Sequence, residues 1–377
     1  MKQARQVTVR NVAAQAGVSA STVTRALHKD PRIPRATRLA VQRAARRLGY
    51  RLNPAASSIM SHIRRGHVAA YRGALAWLNC EPSADAWKHT PWLKRLFEGA
   101  RQRAEETGFL LEDLWLADPR LGGDHVHAIL KARGVQGLIV PKPSHYPHQL
   151  PHHLAWKDLA CVTISSLQPP LPVHEVGPDE MDGVRQAFTA LRARGYRRIG
   201  LLIHDAHDSE NQGACRAGYL LETGELPPRA RLPVLMLPEN ADEPEMTALF
   251  GRWLDRYKAD VVICSDEHVL ERAGKLGLRV PDDLGIVHLD RHDYLTQWAG
   301  IDQQKDQIGA AAVDLVAGQM TRGEFGLPSF RKRVLIAGRW VDGGTVRPPT
   351  HHEEHEEYEG REDGVRCIVQ PRNRMRH

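Results

Sequence analysis

The chain has few cysteines and no long apolar runs, and these shortages exclude several classes of protein. Its five cysteines are scattered and form no CxxC pair: Cys80, Cys161, Cys215, Cys264 and Cys367. We therefore predict reduced thiols, with neither a disulfide framework nor a zinc site. No apolar run approaches the roughly 18–20 residues of a membrane-spanning helix. The opening segment MKQARQVTVRNV lacks the apolar core of a secretory signal, so we expect a cytoplasmic protein.

Enzyme motifs are also missing. There is no GxxxxGK[ST] phosphate loop and no GxGxxG dinucleotide loop. The pairs His204–Asp205 and His207–Asp208 follow an apolar stretch, where a metal or an acid–base pair could form. No third group accompanies them at the spacing of a catalytic triad or of HExxH. We therefore predict no enzyme activity, no catalytic residue, no bound metal and no cofactor.

The positive charge is concentrated at one end. The first 66 residues contain 14 lysines and arginines and one acid, Asp30, which gives +13. Because the whole chain is +7, the remaining 311 residues are −6. A small cationic head on a mildly acidic body is typical of a chain that binds a polyanion with one end.

The pattern VRNVAAQAGVSASTVTRAL predicts two short helices that cross at a tight turn. Gly17 would end the first helix because glycine tolerates left-handed backbone, and Ser19 can cap the second. Val23 and Leu27 are spaced to face the first helix. Four residues are then predicted on the outer face, near the start of the second helix: Ala20, Ser21, Thr22 and Arg25. This is the part of a recognition helix that contacts base edges and phosphates. The alternative, a helix hairpin without a ligand, is disfavoured by the local charge.

Two further segments complete the head. A third helix is predicted over 34–48, with an apolar stripe that includes Val41 and Leu48. After it, Asn53 and Pro54 suit a helix start, but the segment 54–60 is too short to be stable alone. It would fold against a partner chain and DNA, where Ile59 and Met60 could wedge into the minor groove. An ordinary linker is equally compatible with these residues.

Residues 7–66 resemble the DNA-binding head and hinge of the LacI/GalR family of bacterial transcription regulators. The resemblance runs through VTVRNVAAQAGVSASTVTRAL, RIPRATRLAV and LGYRLNPAASSI. It implies a homodimer on a near-palindromic operator in double-stranded DNA. Carried over to this sequence, the base readers would be Ala20, Ser21 and Arg25. Contacts to phosphates would come from Thr8, Ser19, Thr22, Thr24, Thr37, Tyr50 and Asn53. The residues entering the minor groove would be Ala56 and Ile59.

In the body, short apolar runs alternate with helical stretches. Candidate strands lie at 73–79, 137–140, 160–166, 197–204, 232–237, 259–266, 284–290 and 332–341. Candidate helices lie at 91–107, 122–133, 181–194, 211–222, 243–257, 267–276 and 303–322. This alternation predicts parallel sheets with helices on both faces.

The resemblance extends to about residue 346 and implies the fold of periplasmic sugar-binding proteins. The predicted fold class is an all-α helix-turn-helix head plus an α/β sensor body of two Rossmann-like lobes with parallel sheets. The first lobe would comprise 68–193 and 301–326, and the second 195–290 with a strand at 332–341. The predicted domains are a DNA-binding domain at 1–50, a hinge at 51–66, the effector-binding and dimerisation body at 67–346, and a disordered tail at 347–377.

The cleft between the lobes would hold a small effector. Asp182, Ser265 and Asp290 fall where family members often bind sugar hydroxyls, although Asp182 could equally be a cap. Trp77 could stack on a sugar ring, with the core or a dimer interface as the alternative. Cys215 stands where sugar-binding members carry an arginine, which leaves open a non-sugar ligand or a body that only dimerises.

The segment HHEEHEEYE at 351–359 has metal-binding residue types but lies in a polar, proline-bounded tail. We interpret it as solvated chain. The sequence thus predicts a bacterial cytoplasmic repressor that binds operator DNA as a dimer, or as a pair of dimers. It would be controlled by a carbohydrate-related effector and would have no contact with membranes.

Overall fold

The head of the chain forms three helices around a small apolar core. The computed structural model describes residues 9–27, 33–48, 71–118, 125–144, 156–165, 171–238 and 240–349. Helix α1 spans Val9–Ala16, α2 spans Ala20–Leu27 and α3 spans Arg35–Arg47. Small aliphatic side chains fill the space between them: Val12, Ala13, Val23, Ala26, Ile33, Val41, Ala44 and Ala45. The first three predicted helices of the head and their apolar stripes are confirmed, and the segment 54–60 lies outside the described residues.

The turn between α1 and α2 forms as its residues predict. Gly17 has a φ of +64°, in the left-handed region that side chains with a Cβ avoid. Val18 N donates a hydrogen bond to Ala13 O at 3.1 Å, which closes the end of α1. Ser19 Oγ accepts from Thr22 N at 3.1 Å and so caps α2. Pro34 precedes α3 and provides no side-chain cap.

The first sheet of the body is parallel. The described residues contribute six strands: β1 (Gly73–Asn79), β2 (Phe109–Trp115), β3 (Val135–Pro141), β4 (Ala160–Ile164), β5 (His174–Pro178) and β11 (Arg333–Ile336). Their order is β11–β5–β4–β3–β1–β2, with parallel pairing throughout. The helices of this part of the chain are α4 (Pro91–Glu106), α5 (His125–Ala132) and α11 (Lys305–Arg322). Residues of α4 and α11 belong to one apolar core with β1 and β4.

The second sheet repeats this architecture. Its strands among the described residues are β6 (Ile199–His204), β7 (Leu235–Leu237), β8 (Val261–Cys264), β9 (Gly285–His288), β10 (Ala299–Asp302) and β12 (Arg339–Val341). They lie in the order β12–β10–β9–β8–β6–β7, and only β12 is antiparallel. Five helices accompany them: α6 (Glu180–Ala193), α7 (Asp205–Glu210), α8 (Ala214–Gly224), α9 (Glu243–Tyr257) and α10 (Val269–Lys275).

The chain passes between the sheets at three places, and this corrects the predicted lobe boundaries. It leaves the first sheet after β5, returns after β10 and leaves again between β11 and β12. Helix α6 therefore packs in the core of the second lobe, not the first, with Val184 and Phe188 beside strand β6. The strand predicted at 332–341 is two strands, one in each sheet. A break at 337–338 allows the chain to change sheets.

Two glycines bring α4 and α11 into close contact. A Cβ at Gly99 would lie 2.1 Å from Asp306 O, and one at Gly309 would lie 2.1 Å from Leu96 O. Only glycine leaves room for backbones to approach this closely. The close crossing holds the start of α11, and with it the residues after β10, against the first lobe.

Strands β2, β5 and β10 were not predicted. Strand β5 carries His174 and Glu175, which are polar yet almost fully buried. Glu175 is paired with Arg331 and Arg333, which follow it in the chain by more than 150 residues. A search for apolar runs cannot find a strand whose buried residues are charged. None of the helices in the described ranges is long and apolar enough to cross a membrane.

Candidate DNA-binding surface and effector cleft

The outer face of α2 carries the residues assigned to DNA contact. Arg25 and Ser19 are exposed, while Thr22 is half-buried beside the cap, with its Oγ1 2.9 Å from Ser19 Oγ. Thr37 is half-buried on α3. The amides at the start of α2 and the Arg25 guanidinium are groups that bind phosphates and base edges.

Several predicted DNA contacts lie outside the described residues. These are Thr8, Tyr50, Asn53, Ala56 and Ile59. The backbone of α2 is described at Ala20, Ser21 and Thr24, but their side chains are not. The tail segment 351–359 and Cys367 also lie outside the described ranges.

In the body, polar residues gather at the carboxyl edge of the second sheet. Strands β6, β8 and β9 are parallel neighbours that end at His204, Cys264 and His288. Ser265 and Asp290 therefore emerge at the same edge, as expected for a ligand-binding edge of an α/β sheet. The Ser265 hydroxyl oxygen is buried and makes no hydrogen bond within the described residues.

One ion cluster at this edge is centred on Arg272 of α10. Its guanidinium donates to Asp266 Oδ2 and, at 2.7 Å, to Glu243 Oε1. His204 Nε2 lies 2.9 Å from the same Asp266 oxygen. Burial opposes ionisation of Asp266, but the hydrogen bonds from His204 and Arg272 hold the pKa of its carboxyl well below the usual range. This cluster fixes the start of α10 and lies beside Ser265.

A second polar chain links Asp290 to Glu180. Lys305 Nζ donates to Asp290 Oδ2 at 2.8 Å and to Gln303 Oε1 at 2.6 Å. Gln303 Nε2 in turn donates to Glu180 Oε1 at 3.1 Å. Although burial opposes ionisation, the Lys305 ammonium lowers the pKa of the Asp290 carboxyl. The predicted effector ligand Asp290 thus has a cationic partner within the chain.

Glu180 also contacts Cys215, and the half-buried His207 lies close to both. Cys215 Sγ donates to Glu180 Oε2 at 3.7 Å. Burial and the nearby Asp290 raise the pKa of Glu180 to about 7. Burial and Lys142 lower the pKa of His207 to about 4, and burial next to Glu180 raises that of Cys215. Near neutral pH, the histidine and the thiol are therefore uncharged.

The family resemblance predicts an arginine at the position of Cys215, and no neighbour on α8 supplies a cation there. Arg216 is half-exposed and pairs with Asp208 Oδ2 at 3.1 Å. The cation beside Asp290 is Lys305, which comes from the chain segment after β10. No sequence pattern indicates the Lys305–Asp290 pair, because the two residues follow different strands of the sheet.

Among the charged contacts that bridge the lobes, two lie beside the Glu180 group. Lys142, which follows β3, pairs with Glu210 of α7. Arg95 of α4 binds Asp302 at the end of β10 through two hydrogen bonds, Nη1 to Oδ1 at 2.9 Å and Nη2 to Oδ2 at 3.2 Å. Paired, two-point contacts of this kind fix orientation as well as distance. They join the first lobe to the helix and the strand that flank the Glu180 group.

A cavity of about 280 Å³ lies between the sheets next to Glu180. Residues of both lobes line it, including Ser165, Glu175 and Arg333 on one side and Asn211 and Gln212 on the other. Arg333 Nη1 donates across it to Gln212 Oε1 at 3.1 Å. Its volume is close to the lower end of the range of small-molecule sites.

The prediction that Trp77 stacks on a ligand is wrong. Its side chain is 0% exposed and packs edge-on against Phe97, with ring centroids 5.3 Å apart. A β1 residue that points into the core cannot present its ring to the cleft. Asp182 accepts from Gln186 Nε2 at 2.7 Å, on its own helix. Glu180, two residues earlier and not singled out from the sequence, is the α6 carboxylate that joins the buried group.

Comparison with known proteins agrees with this architecture. Residues 8–53 match the model for bacterial regulatory proteins of the lacI family, and residues 188–346 match the periplasmic binding protein-like domain. The HTH-type transcriptional repressor CytR of Escherichia coli K12 is 26% identical over 350 residues, covering 85% of this chain and 91% of CytR. The HTH-type transcriptional regulator PtxS of Pseudomonas plecoglossicida is 28% identical over 352 residues, covering 90% and 97%.

Solved structures share the fold. The lac repressor dimer bound to operator and the anti-inducer ONPF aligns with a TM-score of 0.54 at 18% identity, over 91% of this chain and 100% of that one. The complex of the transcriptional regulator CelR with cellobiose aligns with a TM-score of 0.53 at 21% identity, over 90% and 100%. The predicted fold class, a helix-turn-helix head with a two-lobed α/β body of parallel sheets, is confirmed. With its lacI-type head joined to a periplasmic-binding-protein-like body, the chain belongs to the LacI family of bacterial regulatory proteins.

Proposed function

We propose that this chain is a transcriptional repressor that binds a near-palindromic operator as a homodimer and responds to a small effector. The observation that carries the proposal is the exposed polar face of α2, with Arg25 on a helix capped by Ser19 in a strongly cationic head. Relatives of similar length are named as repressors and regulators. The protein acts as a regulator, not an enzyme, and works in the bacterial cytoplasm, where its DNA lies.

Each successive segment of the chain has its own proposed role. Residues 1–50 bind DNA, 51–66 form the hinge, 67–346 bind the effector and dimerise, and 347–377 form a tail. Effector binding changes the angle between the lobes, and this change moves the two hinge segments of the dimer together or apart. Regulation is then a coupling free energy between the cleft and the hinge. The Arg95–Asp302 and Lys142–Glu210 contacts resist that change of angle until a ligand alters them.

The effector site is the carboxyl edge of the second sheet, with Asp290 and Ser265 as ligands to hydroxyl groups. Carboxylates bind hydroxyls strongly, and the Ser265 hydroxyl makes no competing hydrogen bond within the described residues. A carbohydrate-related effector fits these groups. The Lys305–Asp290 pair and the Cys215 position favour a second candidate, a body that binds a non-sugar ligand or a protein corepressor.

The DNA-binding proposal is tested by substituting Arg25. Operator sites are first selected from random-sequence DNA with the unaltered chain. Arg25→Ala should then weaken specific binding by about 1–3 kcal/mol and relax the base preference, because a base-reading arginine is lost. Fluorescence anisotropy at fixed salt measures the affinity. The matched control is Arg43→Ala, which removes the same charge from an exposed position on α3. Equal losses in the two variants would contradict a base-reading role for Arg25.

The effector proposal is tested by a thermal-shift screen of the full chain against mono-, di- and acidic sugars and common metabolites. A ligand that binds the folded state raises the melting temperature. Asp290→Ala should remove the shift and the operator release while preserving operator binding. Asp205→Ala removes a carboxylate from an exposed position at the start of α7 and should leave the shift intact. If sugars produce no shift and another ligand class does, the second candidate replaces the first.

A further inference from the structure

We propose that Glu180, His207 and Cys215 form a binding site for a divalent transition metal, with zinc the best-suited ion, between the helices that border the cleft. One ligand atom from each of the three residues lies within 4.8 Å of the other two. The residues come from the starts of α6 and α8 and from the middle of α7. This site goes beyond the proposed function, since it does not require that the chain bind DNA or a sugar.

The donor set matches zinc chemistry. A thiolate, an imidazole and a carboxylate together favour Zn²⁺ over Mg²⁺ or Ca²⁺, which prefer oxygen ligands alone. In a tetrahedral zinc site, a sulfur and a carboxylate oxygen are separated by about 3.6 Å, given metal–ligand bonds of about 2.3 and 2.1 Å. Cys215 Sγ and Glu180 Oε2 are 3.7 Å apart. A ring nitrogen of His207 lies within 4.8 Å of both atoms.

Neighbouring groups hold the ligands in position. Gln303 Nε2 binds Glu180 Oε1, which leaves Oε2, the oxygen next to Cys215, to face an ion. The Asn211 side chain lies against the His207 ring, with its Nδ2 3.1 Å from Nε2. Metal-binding carboxylates are normally held by outer hydrogen bonds such as the one from Gln303, and the loss of such a bond typically weakens metal binding about 10–100-fold.

The charges balance when a divalent ion binds. A zinc site takes its thiol and carboxyl ligands deprotonated and its imidazole neutral. When both acids start protonated, binding breaks the Cys215 S–H and Glu180 O–H bonds, forms metal–sulfur, metal–oxygen and metal–nitrogen bonds, and releases two protons to water. The net charge of the group is then unchanged. The nearby lysines do not oppose the ion strongly, because Lys305 is paired with Asp290 and Lys142 with Glu210.

The site also has an approach and an open position. Glu180, Asn211 and Ala214 line the cavity of about 280 Å³ between the sheets. With three protein ligands, the fourth position of a tetrahedral zinc ion is taken by water or another small ligand from that cavity. A bound ion would join α6, α7 and α8. Helix α7 carries Glu210, so the ion would also steady the Lys142–Glu210 bridge between the lobes.

The sequence predicts no metal, because its motifs give His207 no third group. The ligands are separated by 27 and 8 residues in the chain, and no spacing rule for zinc sites covers that pattern. The folded chain brings them together because α6 packs beside α8 in the second lobe.

The test is a cobalt titration of the full-length chain, stripped of metal and kept reduced. Co²⁺ replaces Zn²⁺ in such sites and gives a thiolate-to-cobalt charge-transfer band. We expect the intensity of this band to saturate at one Co²⁺ per chain. Adding Zn²⁺ should displace the cobalt and remove the band. Cys215→Ser should abolish the band. His207→Gln and Glu180→Gln, which keep every thiol, should weaken cobalt binding about 100-fold or more. Gln303→Ala, which removes the outer hydrogen bond to Glu180, should weaken it about 10–100-fold. Circular dichroism confirms that each variant is folded.

Two cysteine variants are the matched controls. Cys80→Ser changes a half-buried thiol in the first lobe, and Cys367→Ser changes the thiol nearest the histidine-rich segment of the tail. Both should retain the band at full intensity. A band that survives Cys215→Ser, or one that disappears with Cys367→Ser, would overturn the proposal. So would the absence of a band in the unaltered chain, or an affinity unaffected by His207→Gln and Glu180→Gln.

Discussion

The head and the body of this protein place their functional polar residues in opposite environments. In the head, Arg25 and Ser19 lie on the exposed side of α2, while eight small apolar residues form the core behind it. In the body, the polar residues at the edge of the second sheet are themselves part of the interior. Arg272 is 1% exposed, and the Asp266 side chain beside it is 5% exposed.

This difference decides how each region responds to substitution. A residue on an exposed face can change without leaving a buried partner behind, so its effect on binding is separate from its effect on stability. A buried charge is tolerated only while its partner remains. Substitutions at the cleft should therefore alter stability as well as ligand binding. All eight tryptophans lie after residue 66, so tryptophan fluorescence follows unfolding of the body alone.

The largest effect is expected at Arg272. Arg272→Met leaves the buried Asp266 carboxylate without its guanidinium partner and should lower the free energy of unfolding of the body by about 3–5 kcal/mol. Urea denaturation followed by tryptophan fluorescence measures this. Arg279→Met removes an arginine that is 72% exposed and paired with Asp283, and should cost at most about 1 kcal/mol. Similar losses of unfolding free energy in both variants would contradict the view that burial makes the Arg272 pair more important for stability than the Arg279 pair.

Glu180→Gln should stabilise the body at alkaline pH. The pKa of Glu180 is about 7 in the folded chain, above its ordinary value of 4.5, so folding favours the protonated acid. That contribution is complete below pH 4.5 and is lost as pH rises through 7. Glutamine does not ionise, so its advantage should grow by about 2–3 kcal/mol between pH 5 and pH 8. Urea denaturation of both proteins at each pH, with a chelator present, measures this difference in the free energy of unfolding. A difference that is constant with pH would show that Glu180 titrates normally.

The smallest effect is expected in the head. Ser19→Ala removes the cap of α2 and should lower the free energy needed to open that helix by about 1 kcal/mol. Hydrogen exchange of α2 amides, measured without DNA, detects this change, and the fluorescence transition of the body should not move. Ser19→Thr retains a capping hydroxyl and should restore protection. A shift of the body transition in Ser19→Ala would show that the two regions are not independent.

The head could be predicted from the sequence because its structure depends on close neighbours. Gly17 and Ser19 each act through backbone groups within four residues, and the apolar stripes of the helices follow a simple period. The same reasoning found most strands of the body from their apolar runs. It failed at β5, where His174 and Glu175 are buried with partners distant in the chain. It also misplaced Trp77, since an aromatic residue near a strand end can face either the cleft or the core.

The sequence by itself determined the helix-turn-helix head, the alternation of strands and helices, and the family to which the chain belongs. Each of these depends on local spacing, charge or a recognisable motif. Only the tertiary structure decided that Lys305 pairs with Asp290, that Arg95 ties α4 to the end of β10, and that Glu180, His207 and Cys215 meet. The first two contacts join segments brought together by the crossings between the sheets, and the third depends on the packing of α6 beside α8. Parallel sheets require such long connections, so their shared edge collects side chains that no sequence spacing reveals.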